Sequence, residues 1–309
     1  MNGIQLCLLA LLLGFVILYA RSPRHPKLAL RYARWVLLGI ASVVVLAPFF
    51  WLVAAIFKDK AVLNDYIFLP PPSDWSDKTL NLNNFRELFS AKESVQGPVY
   101  FWEHILNSTV YATVGTVLQL LFASLVGYAL AKYRFKGRTP LMLFILGSMT
   151  IPGVLLLPPL YDLVVDLGMV DSMLGVIVPW MISAHGIFLF RQACLGVPNE
   201  MIDAGRIDGC SEWRIYLRLV MPLVRPMTAA FCLISFLAHW NAFLTPSVIL
   251  HSQANLTLPV VLQLYVTQYQ NDYGVFLAGT ALAMLPPAIL FLALQKEFIS
   301  GLTSGAVKG

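Results

Sequence analysis

The sequence predicts an all-α, polytopic membrane protein, and three observations carry that prediction. The 309 residues are 58% hydrophobic and only 12% charged, where a soluble domain carries about 25% charged residues. The apolar residues gather in long runs: we read seven spans, at roughly 4–20, 35–57, 105–131, 141–161, 174–190, 222–245 and 276–295. A membrane-crossing helix needs about 17–25 residues, and the short fifth run extends into its flanks. Lysines and arginines, finally, sit almost wholly between these runs. Mean hydropathy is +0.73.

The first run, 4–20, has nothing basic before Arg21, and Arg21, Arg24, Lys27, Arg31 and Arg34 follow it. A secretory signal has the reverse layout, so the expectation is an N-out anchor: an extra N-terminal helix and basic linker over 1–34, ahead of a permease-sized body over 35–309. Lys132, Arg134, Lys136 and Arg138 fill the third connection, and Arg191, Arg206, Arg214, Arg218 and Arg225 lie in or beside the fifth. Loops 162–173 and 246–275 hold no Lys or Arg. The positive-inside rule then makes the odd-numbered connections and the C-terminus cytoplasmic. Segment 58–104, with five basic and seven acidic residues, is extracytoplasmic. Its Pro70-Pro71-Pro72 reads as a stiff extended turn, and Leu82, Phe85, Leu88 and Phe89 as a short amphipathic helix, either a spacer or a docking surface.

The net charge of +5 is a topology signal and gives no reason to invoke nucleic acid. Away from their ends the spans hold no Asp, Glu, Lys or Arg. Such a charge costs about 3 kcal/mol or more at the bilayer centre and is usually there for function, so the spans offer no proton relay, voltage sensor or charged ion path. Cys7, Cys194, Cys210 and Cys232 show no metal-ligand spacing. The chain has no Gly-x-x-x-x-Gly-Lys-Ser/Thr loop for ATP phosphates, no His-Glu-x-x-His and no Gly-x-Ser-x-Gly. No catalytic residue, metal site or cofactor is expected in this chain.

One charged stretch stands out between two apolar spans, from Pro198 to Pro222. Met201, Ile202, Ala204 and Gly205 recur at helical spacing, Asp208-Gly209 breaks the run, and a second amphipathic run starts at Ser211. Pro198 and Asn199 suit a helix start and Asp-Gly a tight turn. The prediction is helix, turn, helix on one membrane face. Asp203 near the helix start favours the dipole, Ala204 and Gly205 are small enough for a partner surface to approach, and Gly209 permits a positive φ.

Asp203-Ala-Gly-x-x-Asp-Gly209 followed by Pro222 resembles the cytoplasmic EAA loop of binding-protein-dependent ABC importers. The family's Glu-Ala-Ala reads Asp203-Ala204-Gly205 here and departs twice; Asp208 and Gly209 match. Tyr133-Arg-Phe-Lys-Gly137, Trp240-Asn-Ala-Phe-Leu-Thr-Pro246, Thr257-Leu-Pro259 and the tail Gly301-Leu-Thr-Ser-Gly-Ala-Val-Lys-Gly309 are similar to one permease subunit of the maltose-type carbohydrate importers. The likeness runs over roughly 35–309. It implies a type I ABC importer transmembrane fold of six core helices plus the extra one, in a bacterial inner membrane. It also implies that Asp203, Ala204, Gly205, Asp208 and Gly209, within the cytoplasmic loop 191–221, dock on an ATPase subunit.

The implied partners are a second homologous permease, two ATPase subunits holding the ATP and magnesium, and an extracytoplasmic sugar-binding protein. The tail 296–309 is implied to touch the ATPases, though by composition alone it is a frayed end. Loop 246–275, with His251, Gln253, Asn255, Tyr265, Gln268, Tyr269, Gln270 and Tyr273, is implied to face the binding protein. Trp240 and Asn241, and after them His185 and His239, are the candidates for the substrate path; polar residues in spans also bond between helices. Two other classes remain: a secondary transporter, which charge-free spans disfavour, and a membrane-embedded enzyme using His185, His239 and Asp162, which lack motif spacing.

Overall fold

A computed structural model describes residue 19 and residues 27–94, 97–267 and 273–306. The expected span at 4–20 apart from Tyr19, Gln268–Gln270 and the last three residues of the tail lie outside them. The chain divides into two units, Met1–Asn84 and Phe85–Gly309.

In the first unit, α1 runs Lys27–Ile56. It starts well before the expected 35, because no Gly or Pro interrupts 27–38 and the basic residues there are good helix formers. Its Leu30–Ile56 stretch is long and apolar enough to cross a membrane. The chain beyond it folds into an ordered knot. Lys58 is 0% exposed and its Nζ donates to the carbonyls of Leu63 and Tyr66, while burial lowers its pKa. Asp59 caps a 3₁₀ turn through Ala61 N and accepts from Asn81 Nδ2 at 2.8 Å. Asn84, 2% exposed, donates to Ile56 O at 2.7 Å and Lys58 O at 2.9 Å, satisfying carbonyls that the end of α1 leaves open. The proline run is extended at Pro71 (φ −60°, ψ 151°) and closes in a 3₁₀ turn, Pro72–Asp74. The expected amphipathic helix is α2, Asn83–Phe89.

The second unit takes in α2 from Phe85 on and then an antiparallel hairpin, β1 (Lys92–Ser94) and β2 (Gly97–Val99), in which Lys92 pairs with Val99. The 32-residue α3, Phe101–Lys132, is its axis. Small residues let neighbours approach it closely, the usual means of packing where lipid removes the hydrophobic drive. A Cβ at Gly127 would lie 2.8 Å from Arg191 N, and one at Gly115 would lie 2.7 Å from the His239 ring. Around α3 come α4 (Arg138–Ser148), α5 (Leu157–Asp166), α6 (Met173–Ile177), α7 (Ala184–Leu195), α8 (Asn199–Ile207), α9 (Glu212–Ile215) and α10 (Met221–Leu223). They are followed by α11 (Arg225–Trp240), α12 (Leu244–Ile249), α13 (Leu258–Thr267), α14 (Tyr273–Ala283) and α15 (Leu285–Ala306).

Two expected spans are broken. The run read as 141–161 is α4 and then Gly153–Asp166, bent by 96°. Pro152 is extended (φ −61°, ψ 124°) and disfavours helix at the residue before it. The run read as 174–190 is Met173–Trp180 and then α7, bent by 45°; Ser183 restarts the helix by accepting from Gly186 N at 3.0 Å. Among the described residues four helices are long and apolar enough to cross a membrane, six if each bent pair counts as one span. The supposed loop 246–275 holds the apolar helix α13, too short to cross, and α15 carries helix through Ala306 into the small-residue tail.

Asn84→Ala would strand two carbonyls at the end of α1, and an unsatisfied buried group costs about 1–3 kcal/mol. We expect a lower thermal midpoint for the purified variant, and faster hydrogen exchange confined to 57–84.

Candidate functional site

The charged stretch folds as its spacing predicts. α8 is held at its start by Lys132, whose Nζ donates to Val197 O (2.5 Å) and Asn199 Oδ1 (2.9 Å). It ends in a Schellman motif: Gly209, at φ +74°, donates to Arg206 O and Cys210 N donates to Gly205 O, each at 3.0 Å. That closure needs a left-handed residue just past the helix, the position glycine fills at least cost. Ser211 then caps α9. A π-helical turn, Tyr216–Val220, joins α9 to α10.

The apolar residues of α8 divide between two faces. Ile202 and Gly205 are buried, and a Cβ at Gly205 would lie 3.0 Å from Leu219 and 3.3 Å from Ile215. The small size of Gly205 is therefore used inside the chain, to seat α8 on the following helix. Met201, Ala204 and Ile207 are exposed, Ile207 to 86%. Ile207 was not singled out from sequence, yet it lies five residues, about 140° of helix, from buried Ile202. Asp203 is exposed and pairs with Arg206 of its own helix at 2.9 Å, while Asp208 and Gly209 form the exposed turn.

Arg206 also binds Glu212 at 2.7 Å, and Tyr133 Oη donates to the other Glu212 oxygen at 2.5 Å. Arg206, then Tyr133, hold the Glu212 carboxyl below its usual range, and Glu212 in turn raises the Arg206 pKa. These exposed pairs contribute little stability singly. Their effect is to fix α8 and α9 to each other and to the end of α3.

At the end of the molecule whose loops lack Lys and Arg, Asp171 gathers two of them. Its carboxylate accepts from His251 N and Ser252 N, both at 2.9 Å, and from Ser252 Oγ. Its carbonyl accepts from Asn255 Nδ2 at 2.8 Å, and its N–H donates to Ile249 O at 2.9 Å. Burial alone would raise the Asp171 carboxyl, but the bonds from Ser252, His251 and Asn255 outweigh it and hold the pKa down at about 2. Asp171 sits at φ +55°, a region that Asp tolerates better than most residues. Of the residues read as binding-protein contacts, His251 is exposed, Gln253 half-buried, and Asn255 turned inward on Asp171.

The two substrate-path candidates part company. Trp240 is 3% exposed, stacks on Phe236 and donates its indole N–H to Ala283 O at 3.0 Å, so it packs α11 against α14. Asn241 is exposed and bonds back to Leu237 O. His239, one residue before Trp240, lines an open cavity of about 230 Å³ with Tyr111, Gln119, Trp180 and Thr245. His185 and Asp162 are exposed.

Asp171→Asn keeps the left-handed backbone and loses the charge. We expect exchange of the His251 and Ser252 amides to rise at least tenfold. A depressed carboxyl stabilises above its unfolded value of about 3.8, and that contribution disappears as pH falls from there to about 2. The acid sensitivity of the 249–255 loop over that window should vanish in the variant.

Residues 119–302 match the family described as the binding-protein-dependent transport system inner membrane component. The chain is 40% identical over 236 residues to the arabinooligosaccharides transport system permease protein AraQ of Bacillus subtilis (strain 168), covering 76% of this chain and 82% of that one. It is 32% identical over 278 residues to the lactose transport system permease protein LacG of Rhizobium radiobacter, covering 88% of this chain and 94% of that one. In fold it resembles a chain of a bacterial ABC transporter involved in the import of the acidic polysaccharide alginate, with a TM-score of 0.73, 23% identity, and coverage of 90% of this chain and 98% of that chain. This chain therefore belongs to the binding-protein-dependent transport system inner membrane components, as a permease subunit of an ABC importer.

Proposed function

We propose that this permease forms half of an alternating-access pore for a carbohydrate, with a second homologous permease as the other half. Two ATPase subunits carry ATP and magnesium, and an extracytoplasmic binding protein delivers the sugar. The observation that carries the coupling part of this reading is the α8–turn–α9 element. It is braced from within by Gly205, Arg206 and Glu212, and it presents Met201, Ala204 and Ile207 outward. An apolar strip so exposed on an otherwise charged element suits burial in a partner. Asp203 and Asp208 flank it and are placed to meet basic residues of the ATPase. ATP-driven approach of the ATPases would draw the two coupling elements together, and hydrolysis would release them. The shift requires contacts that differ between the two states.

The carbohydrate part rests on the relatives, whose names specify arabinooligosaccharides and lactose. In this reading 35–309 is the transporting body, 1–34 an additional anchor, and the tail and basic connections face the cytoplasm of a bacterial cell. His251 and Gln253 form part of the surface offered to the binding protein.

Two measurements test it. Purification from native membranes in mild detergent should bring down a second permease and an ATPase in matching amounts; a solitary, stable chain would refute the assembly. Gly209→Val forces a β-branched residue into the left-handed region. It should leave membrane insertion intact while cutting sugar transported per ATP hydrolysed by tenfold or more in proteoliposomes. Normal coupling in that variant would sink the docking assignment.

A further inference from the structure

The knot that follows α1 is tied to the end of that helix. Lys58, two residues beyond Ile56, is fully buried and reaches the carbonyls of Leu63 and Tyr66. Asn81 N donates to Phe57 O at 2.8 Å, and Asp59 N donates to Thr79 O at 3.1 Å. Tyr66 therefore starts the next stretch of chain one lysine side chain away from the end of a helix long and apolar enough to cross a membrane.

Residues 66–75 close into a braced loop. Tyr66 Oη donates to Asp74 Oδ2 at 3.0 Å, Trp75 Nε1 donates to Pro70 O at 2.9 Å, and Asp74 N donates to Pro71 O at 2.9 Å. Pro70, Pro71 and Pro72 stiffen it further and carry no backbone donor. These polar contacts are internal, while the large apolar side chains point outward. Ile67 is 77% exposed and Trp75 57%, and Phe68 and Leu69 are exposed as well. The bond from Trp75 to Pro70 sets the indole beside that run. A lone exposed apolar residue is ordinary, but a contiguous set on a rigid loop marks a contact surface.

We propose that this loop is an interfacial lipid anchor, with Ile67, Phe68, Leu69 and Trp75 set among the phospholipid headgroups and first acyl carbons of the leaflet in which α1 ends. The surface is continuous with the membrane-crossing helix. Three residues beyond Tyr66 span at most about 11 Å, and the headgroup layer is about 5–7 Å deep on each side of the bilayer, so the apex is within its reach. Tryptophan is enriched in that layer. The N–H groups of Ile67, Phe68 and Leu69 have no acceptor among the described residues. That suits a layer where water and phosphate oxygens accept, and it keeps the backbone out of the hydrocarbon core. Between Ala61 and Trp75 there is no Lys or Arg, so the anchor is apolar and needs no anionic lipid. The proposal goes beyond the importer reading and stands without it, since it requires only that α1 crosses the membrane.

The test places the full chain, with the subunits that purify with it, in phosphatidylcholine nanodiscs. Cys7, Cys194, Cys210 and Cys232 are replaced by alanine, and a nitroxide is attached through Phe68→Cys or, as a control on the exposed part of the knot, Lys78→Cys. Oxygen, which partitions into lipid, should relax the label at position 68 at least five times more than a water-soluble nickel chelate does, with the order reversed at position 78. Nickel access at 68 equal to or above that of oxygen would put the apex in water. Exclusion of both reagents would put it under protein. Either result overturns the anchor. Where the cysteine replacements block assembly, the wild-type chain is compared with Trp75→Phe in phosphatidylcholine brominated near the headgroup. The share of fluorescence lost with Trp75 should be quenched at least twofold, and equal quenching of the two proteins would also overturn the proposal.

Discussion

A backbone in lipid must satisfy its own hydrogen bonds, and the most informative residues of this protein are those that do so where a helix stops. Asn84 closes the carbonyls at the end of α1. Lys132 reaches from the end of α3 to the carbonyl of Val197, just before α8. Gln119 takes the carbonyl freed at Trp180, and the Gly209 turn recovers two more at the end of α8. None of these side chains belongs to a catalytic motif. Without them the breaks would leave backbone carbonyls without a protein partner, most expensively at Trp180, where the partner comes from the middle of α3.

The same economy shapes the packing. Gly115 and Gly127 sit where a methyl group would collide with His239 or with the backbone of α7, and Gly205 where one would crowd Leu219. α3 is thereby brought against α7 and α11, and α8 against the turn that follows α9. Close approach converts small side chains into dispersion contact over a long interface. It also braces α8: Gly205 seats it on Leu219, and Arg206 links it through Glu212 to Tyr133 at the end of α3. At the opposite end, Asp171 ties two loops together.

Much was legible in the chain itself. Apolar run lengths located each described span to within several residues, since the bilayer sets a length that composition must match. The Asp208-Gly209 break and the restart at Ser211 were visible because local turn chemistry depends on neighbours in sequence; that Ser211 caps the new helix is what the structure adds. Other features were not. The sense in which Gly205 is used depends on Leu219, and the role of Asp171 on residues some eighty positions away. The bend of 96° between α4 and the next helix follows from what surrounds Pro152; the proline by itself allows a kink of any size.

What the sequence determined alone is therefore the membrane class, the placement of charge between spans, and the helix–turn–helix at 199–215, all consequences of composition and short-range backbone preference. Tertiary structure decided which face each residue serves. It turned Trp240 into helix packing and left His239, one residue away, on the cavity wall, because successive residues of a helix point about 100° apart. Which of them meets a neighbouring helix is set by how closely α3, α11 and α14 pack.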